Sequence, residues 1–416
     1  MHVPTMNHVP TPIWKNSRLL CALLSHLLSS LGDWLDFIAL LTLFTYVWQA
    51  DPLLISMLPV AYAFPGILFS QAAGVWVDRW QPKLVLICTD VFRSGCTLLL
   101  LLAPSPYLIL SVLLLRASIG TFHLPAQHSI IRRIVAGNQL LEATALIGTS
   151  SQLTKIIGPM LGAFILSLTS SYKFCLLLTA ICLAVSALLL AFLPSSVSHC
   201  EKNDKTIITF RMDWMEGWRT LLNNRILIIC LIFSFFVTAI IQIVDVQLGV
   251  LLREIKPLQQ ELPGWIISGI GLGAVCSTAF FSRIKQSISY FSLLCAGALL
   301  MGSAVFLLGL LNTATPLPYF LLVGIICGAG TGLSFVGVHF SIQKETPSST
   351  IGRVYGIYHS ILNFVFIAAP LTGGWLVKKY GIDHLFLVCG FFAALLGASG
   401  FLLRKRLMTT KKRLLK

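Results

Sequence analysis

Apolar runs of about twenty residues recur along the whole chain, and they restrict the fold more than any other feature of its 416 residues. A helix rises about 1.5 Å per residue, so each run is long enough to cross the roughly 30 Å hydrocarbon core of a bilayer. Charged residues make up only 11% of the chain, well below the roughly one quarter expected of a soluble domain. We therefore predict an all-α membrane protein with twelve transmembrane spans. The spans are centred near Ser29, Phe64, Cys96, Ser118, Lys155, Ala184, Ala239, Gly273, Ala304, Ser334, Phe364 and Ala394.

A long polar segment divides the twelve spans into two sets of six. Residues 194–224 carry charges of both signs, whereas the loops within each set are short. We predict an N-terminal six-helix half at 1–193, a cytoplasmic linker at 194–224, a C-terminal six-helix half at 225–403 and a basic cytoplasmic tail at 404–416. An even number of spans places both ends of the chain on the same side of the membrane.

The positions of the basic residues indicate which side is cytoplasmic, because Lys and Arg are enriched in cytoplasmic loops. With both ends in the cytoplasm, 22 of the 30 Lys and Arg residues lie on that side, 5 lie on the opposite side and 3 lie within spans. We predict a multi-pass protein of a bacterial-type inner membrane with both termini cytoplasmic. The same asymmetry explains the net charge of +15 without a nucleic-acid partner.

The sequence indicates neither a cofactor nor a metal. Ten of the eleven cysteines lie inside apolar runs and no Cys-x-x-Cys pair occurs, so we interpret them as small buried hydrophobic residues. His26, His123, His339 and His359 lie on different spans, and we interpret them as hydrogen-bonded interior residues rather than metal ligands. The chain lacks a Gly-x-x-x-x-Gly-Lys phosphate-binding motif and any recurring arrangement of nucleophile, base and orienting group. We therefore expect neither an ATP-driven protein nor an enzyme.

A short charged loop, Gly74-Val-Trp-Val-Asp78-Arg79-Trp-Gln-Pro-Lys83, separates the second and third spans. Its spacing, Gly-x-x-x-Asp-Arg closed by a Lys, resembles the loop between helices 2 and 3 of the major facilitator superfamily of transporters. Its continuation to Arg93 is most similar to the branch with enterobactin exporters, macrolide efflux proteins and lysophospholipid transporters. The resemblance implies the twelve-helix major facilitator fold. The alternative is any tight basic loop that obeys positive-inside topology.

This loop is also a candidate for one side of a conformational latch. A helix N-terminus attracts a carboxylate by about 0.3–1 kcal/mol, and Arg353, at the start of the eleventh span, could add a charge-assisted hydrogen bond to Asp78. We predict that this contact joins the halves on the cytoplasmic side in the outward-facing state. Gln81 and Pro82 replace a glycine and an arginine of the family pattern, which weakens the expected contact. The predicted latch residues are Gly74, Asp78, Arg79, Lys83, Gly352 and Arg353.

Related proline and glycine motifs occur in the two halves. The fifth span carries Gly-Pro-x-x-Gly from Gly158, and the eleventh carries Pro-x-x-Gly-Gly from Pro370, with the prolines 211 residues apart. A proline removes a backbone donor and the glycines let neighbouring helices approach closely, so we predict that these helices bend. The first motif resembles the antiporter signature of exporters in the superfamily, although Thr154 and Ala163 replace two of its glycines. The predicted helix-bending residues are Gly158, Pro159, Gly162, Pro370, Gly373 and Gly374.

Ionisable residues within the spans mark candidate functional positions, because a charge at the bilayer centre costs about 2.5–3.5 kcal/mol on insertion scales unless it is paired or faces a wet cavity. We interpret Asp90, Arg93 and Lys155 as a buried charge network. Asp90 and Arg93 are three residues apart on one helix, so local neutralisation of this pair is an open alternative. Asp245 falls near the outer end of the seventh span, and we interpret it as solvated.

A proton-coupling site is predicted at Asp33, Arg116 and Asp36. Arg116 begins an Arg-x-x-x-Gly sequence that resembles a helix-4 motif associated with proton transfer in the superfamily, and Asp33 resembles a helix-1 acid of this branch. Helix rise places the two within about 5 Å in depth, so their side chains can meet. An acid beside an arginine stays ionised, whereas one left in a desolvated cavity takes up a proton. Asp36 either relays protons from the periplasm or is a solvated residue near the helix end.

Together these features predict a proton-coupled antiporter that exports an amphipathic small molecule, drug or siderophore-like metabolite by alternating access. The expected partners are the small-molecule substrate, protons and the lipid bilayer, and the expected functional unit is a monomer. Two alternatives stay open at this point. One is a lipid flippase or a siderophore or nutrient importer, and the other is a receptor or assembly factor that has a transporter fold and transports nothing.

Overall fold

The computed structural model describes residues 16–135, 139–193, 218–283, 289–347 and 350–414, and long α-helices dominate these ranges. A five-residue π-helical segment, Leu43–Val47, extends the first helix. The main helices are α1 (Ser17–Thr42), α2 (Pro52–Arg79), α3 (Pro82–Leu100), α4 (Pro106–Gly120), α5 (His123–Ile134), α6 (Leu140–Thr169), α7 (Tyr172–Ala191), α8 (Arg225–Asp245), α9 (Leu248–Ile255), α10 (Leu262–Arg283), α11 (Tyr290–Leu308), α12 (Leu317–Glu345), α13 (Ile351–Tyr380) and α14 (Ile382–Leu414).

The helices confirm the prediction of twelve membrane spans. Within the described ranges, eleven helical stretches are long and apolar enough to cross a membrane, and α4 and α5 together form one of them. The twelfth span is α3, which has 19 residues but includes the charged residues Lys83, Asp90 and Arg93. Those charges lower its hydropathy, although its length and position between two spans fit a membrane crossing. The short helix α9 is an additional element that the apolar runs did not predict.

Local sequence explains where several helices begin. Asn16, Ser105 and Asn224 precede α1, α4 and α8, and their side chains accept hydrogen bonds from backbone N–H groups of the first helical turn. Such N-caps satisfy donors that have no partner within the helix. Proline occupies the first position of α2, α3 and α4, where its missing N–H costs nothing.

The helices cross the membrane alternately, so the molecule has two distinct sides. We call the side at which α1 begins and α14 ends the terminal side, and the opposite side the distal side. On the distal side, one apolar core includes residues of both halves, such as Phe44 and Ile55 with Val244 and Leu251. The halves are therefore packed against each other there.

Polar contacts also join the halves on the distal side and near the middle of the membrane. The Nε2 atom of Gln247 donates to the hydroxyl of Ser56 at 2.8 Å, and Arg253 donates to the carbonyl oxygen of Thr45 at 3.1 Å. Deeper in the membrane, the hydroxyl of Ser268 donates to the carbonyl oxygen of Ile156 at 3.2 Å. These contacts close the distal side.

On the terminal side, the buried apolar clusters are confined to single halves. Two clusters lie within the N-terminal half, around Leu23 and around Val77, and a third lies within the C-terminal half, around Leu294. Among the described residues, the two halves therefore share an apolar core at the distal side, while the clusters at the terminal side do not join them. If the terminal side is cytoplasmic, as the basic residues predict, this is an inward-facing conformation.

The predicted boundaries at the two ends of the C-terminal half stay predictions. Helix α14 continues to Leu414, so residues 404–414, predicted as a separate tail, extend the last helix. Most of the predicted linker, residues 194–217, lies outside the described residues.

Candidate functional site

A cavity of about 900 Å³ lies between the two halves, within the size range of small-molecule sites. Asp33, Arg93, Arg116 and Lys155 contribute charges to the wall formed by the N-terminal half. The opposite wall is formed by residues of α8 to α13 and carries mainly hydroxyl, amide, sulfur, aromatic and aliphatic groups, with one charged residue, Asp245. The cavity therefore presents a charged wall to a mostly uncharged one.

Arg116 on α4 is the centre of the charged wall. Its NH1 atom pairs with Asp36 and its NH2 atom lies 3.2 Å from Oδ1 of Asp33. The hydroxyl of Tyr62 on α2 donates to Oδ2 of Asp36, the same atom that pairs with NH1 of Arg116. Asp33 and Asp36 are three residues apart on α1, so they lie on one helix face and both reach one guanidinium group.

Arg93 on α3 connects Asp33 to a third carboxylate. Its NH2 atom pairs with Asp33, and its NH1 atom lies 3.4 Å from Oδ1 of Asp90. Asp90 also accepts a hydrogen bond from the hydroxyl of Ser186 at 2.6 Å, and Nε2 of His123 lies 3.4 Å from its Oδ1 atom. We call the set of Asp33, Asp36, Asp90, Arg93 and Arg116 the charge cluster.

Asp33 is much more exposed than the other members of the charge cluster. The side chains of Asp36 and Asp90 are 0% exposed, whereas that of Asp33 is 46% exposed. Asp33 lines the central cavity. It is therefore the carboxylate of the cluster that water or a ligand can reach directly.

The structure brings together the three residues predicted for proton coupling, Asp33, Arg116 and Asp36. The alternative of a solvated Asp36 is wrong, because α1 continues eleven residues beyond it to Val47 and Tyr62 and Arg116 cover its carboxylate. The predicted pairing of Asp90 with Arg93 is present. Their mutual neutralisation is incomplete, since Arg93 also pairs with Asp33.

Two predictions about single charges need adjustment. Lys155 is not buried: its side chain is exposed and lines the cavity. Asp245 is the exposed last residue of α8, as predicted, but it lines the central cavity and does not lie at the outer surface. The chain continues beyond Asp245 into α9, whose buried residues cover the distal ends of the helices.

The proline and glycine motifs lie at close helix contacts. A Cβ atom at Gly162 would lie 3.2 Å from Ile38 on α1, and one at Gly373 would lie 3.1 Å from the carbonyl carbon of Ile243 on α8. Pro159 and Pro370 are inside continuous helices, α6 and α13. The two motifs thus permit equivalent close packing in the two halves, as their spacing predicts, and a role in bending remains a prediction.

The predicted latch is only partly within the described structure. For Gly74, Asp78, Arg79 and Gly352, the structure describes only the helix to which each belongs. The Nζ atom of Lys83 donates to the carbonyl oxygens of Ala191 and Leu193 at 2.9 and 2.5 Å. Lys83 therefore stabilises the C-terminal end of α7 in its own half, and the latch remains a prediction for the outward-facing state.

Sequence reasoning missed four residues that bond the charge cluster: Ser29, Tyr62, His123 and Ser186. Hydroxyl and imidazole groups are common in membrane spans, and their types alone do not distinguish them from other interior polar residues. One feature of the sequence does point to such residues: spans one, three and four carry several charged side chains, and buried charges need polar partners from neighbouring spans.

Known structures and sequences share the fold of this chain. The crystal structure of the nucleoside transporter NupG superposes with a TM-score of 0.74 at 16% identity, covering 94% of this chain and 99% of that one. The MFS-type transporter YfiS of Bacillus subtilis is 27% identical over 392 residues, 93% of each chain. Macrolide efflux protein A of Streptococcus pyogenes is 22% identical over 364 residues, 81% of this chain and 84% of that protein.

The family itself is shown by a direct match to most of the sequence. The model of the Major Facilitator Superfamily matches residues 22–255 and 248–415, and these segments include both six-helix halves. The resemblance noted from the loop after α2 is thereby confirmed. With its twelve spans and a charged cavity between the halves, the chain belongs to the Major Facilitator Superfamily of transporters.

Proposed function

We propose that the protein is a proton-coupled antiporter that exports an amphipathic small molecule across the inner membrane by alternating access. The observation that carries this proposal is an imbalance of charge at the cavity wall. Three carboxylates share two guanidinium groups, so the fully ionised cluster has a net charge of −1. A net charge in the membrane interior is costly, and one added proton makes the cluster neutral.

Asp33 is the member that exchanges this proton with solvent, because it alone among the three carboxylates is open to the cavity. Protonation of Asp33 removes the charge that holds Arg93 and Arg116 to one point on α1. The attraction of α1 for α3 and α4 then weakens. A proton therefore favours one arrangement of these helices over another, and this difference in affinity is what coupling requires.

The cavity fits a ligand that has both an apolar and a polar part. Trp34 and Phe37 of the N-terminal half and Phe366 of the C-terminal half supply aromatic surface. Gln242 and Asp245 of the C-terminal half supply a hydrogen-bonding and a charged group. Binding sites for drug-sized molecules have this composition, with a few polar groups that orient the ligand in a mostly apolar pocket. An amphipathic cargo is the class that uses both kinds of surface.

Export is supported by the antiporter-like motif at Gly158 and by the macrolide efflux protein among the relatives. In this direction, the inward-facing cavity binds cargo from the cytoplasm while Asp33 is ionised. After the change of conformation, a proton from the other side replaces the cargo. Each cycle then exchanges one cargo molecule for at least one proton.

The proposal is tested with inside-out membrane vesicles that contain the protein and have an acidified lumen. Ethidium, erythromycin and a fluorescent lysophospholipid serve as probes, because they represent an amphipathic cation, a macrolide and a lipid. The expected result is uptake of ethidium or erythromycin that stops when nigericin removes the pH gradient. Vesicles without the protein are the control.

Other outcomes of this experiment favour the alternatives. Movement of a probe in the same direction as protons would show an importer. Movement of the lysophospholipid alone, independent of the pH gradient, would show a flippase. Binding of the probes without any protein-dependent flux would support a receptor and contradict the proposed transport.

A further inference from the structure

A second, much smaller cavity lies inside the N-terminal half, on the terminal side of the charge cluster. It is enclosed by α1, α3, α5 and α7. The room that it leaves for water centres is about 10 Å³, close to the least that holds one water molecule. Its wall is apolar except for Ser25, His26, His123 and Gln127.

Two buried polar atoms at this cavity have no hydrogen-bond partner on the protein: Nδ1 of His26 and Oε1 of Gln127. Gln127 is only 6% exposed. An unpaired buried polar atom is costly, so two of them at one cavity indicate a common partner. Ordered waters form about two to four hydrogen bonds, and a water in this cavity fits the need.

His123 connects the small cavity to the charge cluster. It lines both the small and the central cavity, and its Nε2 atom lies 3.4 Å from Oδ1 of Asp90. Asp90 is linked through Arg93 to Asp33. An imidazole can accept a proton on one nitrogen and release one from the other, so His123 is placed to pass protons between the two cavities.

His26 connects the small cavity to the terminal side. Its Nε2 atom bonds the hydroxyl of Ser151 on α6 at 2.9 Å, while its Nδ1 atom is the unpaired one. Ser151 is only half-buried. The two nitrogens of His26 therefore connect the small cavity to a hydroxyl nearer the solvent.

We propose that His123, Gln127 and His26, with a water molecule between them, form a proton path from the charge cluster to the terminal side, separate from the route of the cargo. This inference rests on the proposed proton coupling. The cargo enters through the gap between the halves, whereas the proton passes through the interior of the N-terminal half. The separation lets the proton of Asp33 reach the terminal side without passing through the gap by which the cargo enters.

Each transfer along the path conserves protons. The carboxyl group of Asp33 loses its proton to a water of the central cavity, which both Asp33 and His123 line, and that water passes a proton to one ring nitrogen of His123. The other ring nitrogen of His123 releases its proton to the water of the small cavity. The water passes one of its protons to Nδ1 of His26, and His26 releases its Nε2 proton toward Ser151 and solvent. Gln127 orients the water by accepting a hydrogen bond. Each histidine returns to its first tautomer when its ring turns over.

The test uses proteoliposomes and two substitutions that leave the charge cluster intact. Ala22→Val fills the small cavity without changing any titratable group, and His26→Leu removes the relay. The matched control is His128→Leu, which removes an exposed histidine on the same helix as His123 and Gln127. Ethidium is the probe, and each variant is measured for uptake driven by a pH gradient and for counterflow at equal pH.

The path predicts that the ratio of driven uptake to counterflow falls about a hundredfold in Ala22→Val and His26→Leu, at the low end of what a positioned proton-transfer group contributes. The ratio for His128→Leu stays at the wild-type value. His26→Gln, which keeps a polar group, serves as a milder variant if His26→Leu fails to fold. A density map that resolves ordered waters is an independent test, with a water at Oε1 of Gln127 expected.

Two results overturn the inference in different ways. Wild-type ratios in both cavity variants, or a dry small cavity in the density map, would exclude the path while leaving proton-coupled transport in place. Wild-type protein whose ethidium uptake does not depend on the pH gradient would contradict the proposed function and, with it, the path.

Discussion

The two halves of the molecule are built on the same six-helix plan but are stabilised differently. The buried charged residues within the described ranges all belong to the N-terminal half. In the C-terminal half, glycines bring helix backbones into direct contact: a Cβ atom at Gly302 would lie 2.7 Å from the carbonyl carbon of Ala393, and one at Gly328 would lie 2.6 Å from that of Ile270. The comparison indicates a switching half that contains the ionisable groups and a rigid half that supports it.

The largest effect is expected where a buried charge loses its partner. Arg116→Gln leaves Asp36 buried and unpaired, and breaking a buried pair in this way costs about 3–5 kcal/mol. We expect a large fall in the thermal unfolding temperature of the purified protein. The double variant Asp36→Asn/Arg116→Gln removes both charges and should recover most of the stability but not the transport. Equal instability of the single and double variants would show that the charges do not form an energetic pair.

A smaller effect is expected from glycine packing, and its sign should differ between the halves. Gly302→Ala forces apart α11 and α14, at a cost of about 1–3 kcal/mol for overpacking. The matched change in the N-terminal half is Gly95→Ala, where a Cβ atom would meet nothing within 4 Å. That change should be neutral or stabilise α3 by up to about 1 kcal/mol through helix propensity. Equal shifts in unfolding temperature for Gly302→Ala and Gly95→Ala would contradict the proposed difference in packing.

The sequence predicted the fold more fully than the site. The lengths of the apolar runs and the positions of the charged residues predicted the twelve spans. This works because a membrane requires each span to be a continuous apolar segment of a certain length. Depth counting correctly brought Asp33 and Arg116 together. The same counting placed Asp245 correctly at the exposed end of its span but not at the central cavity, because it could not foresee that the chain continues into α9 and covers that end. The bonds of Tyr62 and His123 depend on how helices rotate against each other, which span lengths do not determine.

A modest effect is expected at the cavity charges outside the cluster. Lys155 and Asp245 line the central cavity from opposite halves, and both side chains are exposed. Charges that are open to water interact by only about 0–1 kcal/mol. Asp245→Asn should therefore raise the KM for the cation ethidium by less than about fivefold, and Lys155→Met should change it little or lower it. Neither should change proton dependence. A loss of proton-driven uptake in either variant would show that residues outside the charge cluster take part in proton coupling.

The smallest effect is expected at the distal surface. Asp51 accepts the backbone N–H of Leu53 at 2.9 Å and pairs with Lys378 of the other half at 3.0 Å. The N–H of Leu53 contributes most to lowering the pKa of this carboxyl from the ordinary 3.8, and Lys378 lowers it further. Only the Lys378 contact joins the two halves, so only its part stabilises the distal closure. That part is present at neutral pH and is lost as the pH falls through the lowered pKa. The pair is exposed, so it contributes about 0–1 kcal/mol.

Spin labels at the exposed distal positions Tyr107 and Leu258 can measure this closure in Asp51→Asn. We expect less than about a fivefold change in the ratio of closed to open distances at pH 7, as a surface ion pair permits. Complete opening of the distal side in this variant would show that the ion pair, rather than the apolar core shared by the halves, holds the closure.

The most direct test of the account compares Asp33→Asn with Asp245→Asn, because each replaces one cavity-facing aspartate, in the switching half and in the rigid half. Ethidium uptake driven by a pH gradient and counterflow at equal pH are measured for both in proteoliposomes. The account predicts that Asp33→Asn loses driven uptake but retains measurable counterflow, while Asp245→Asn retains both. Wild-type proton dependence in Asp33→Asn would contradict the central claim that this carboxylate couples proton movement to transport.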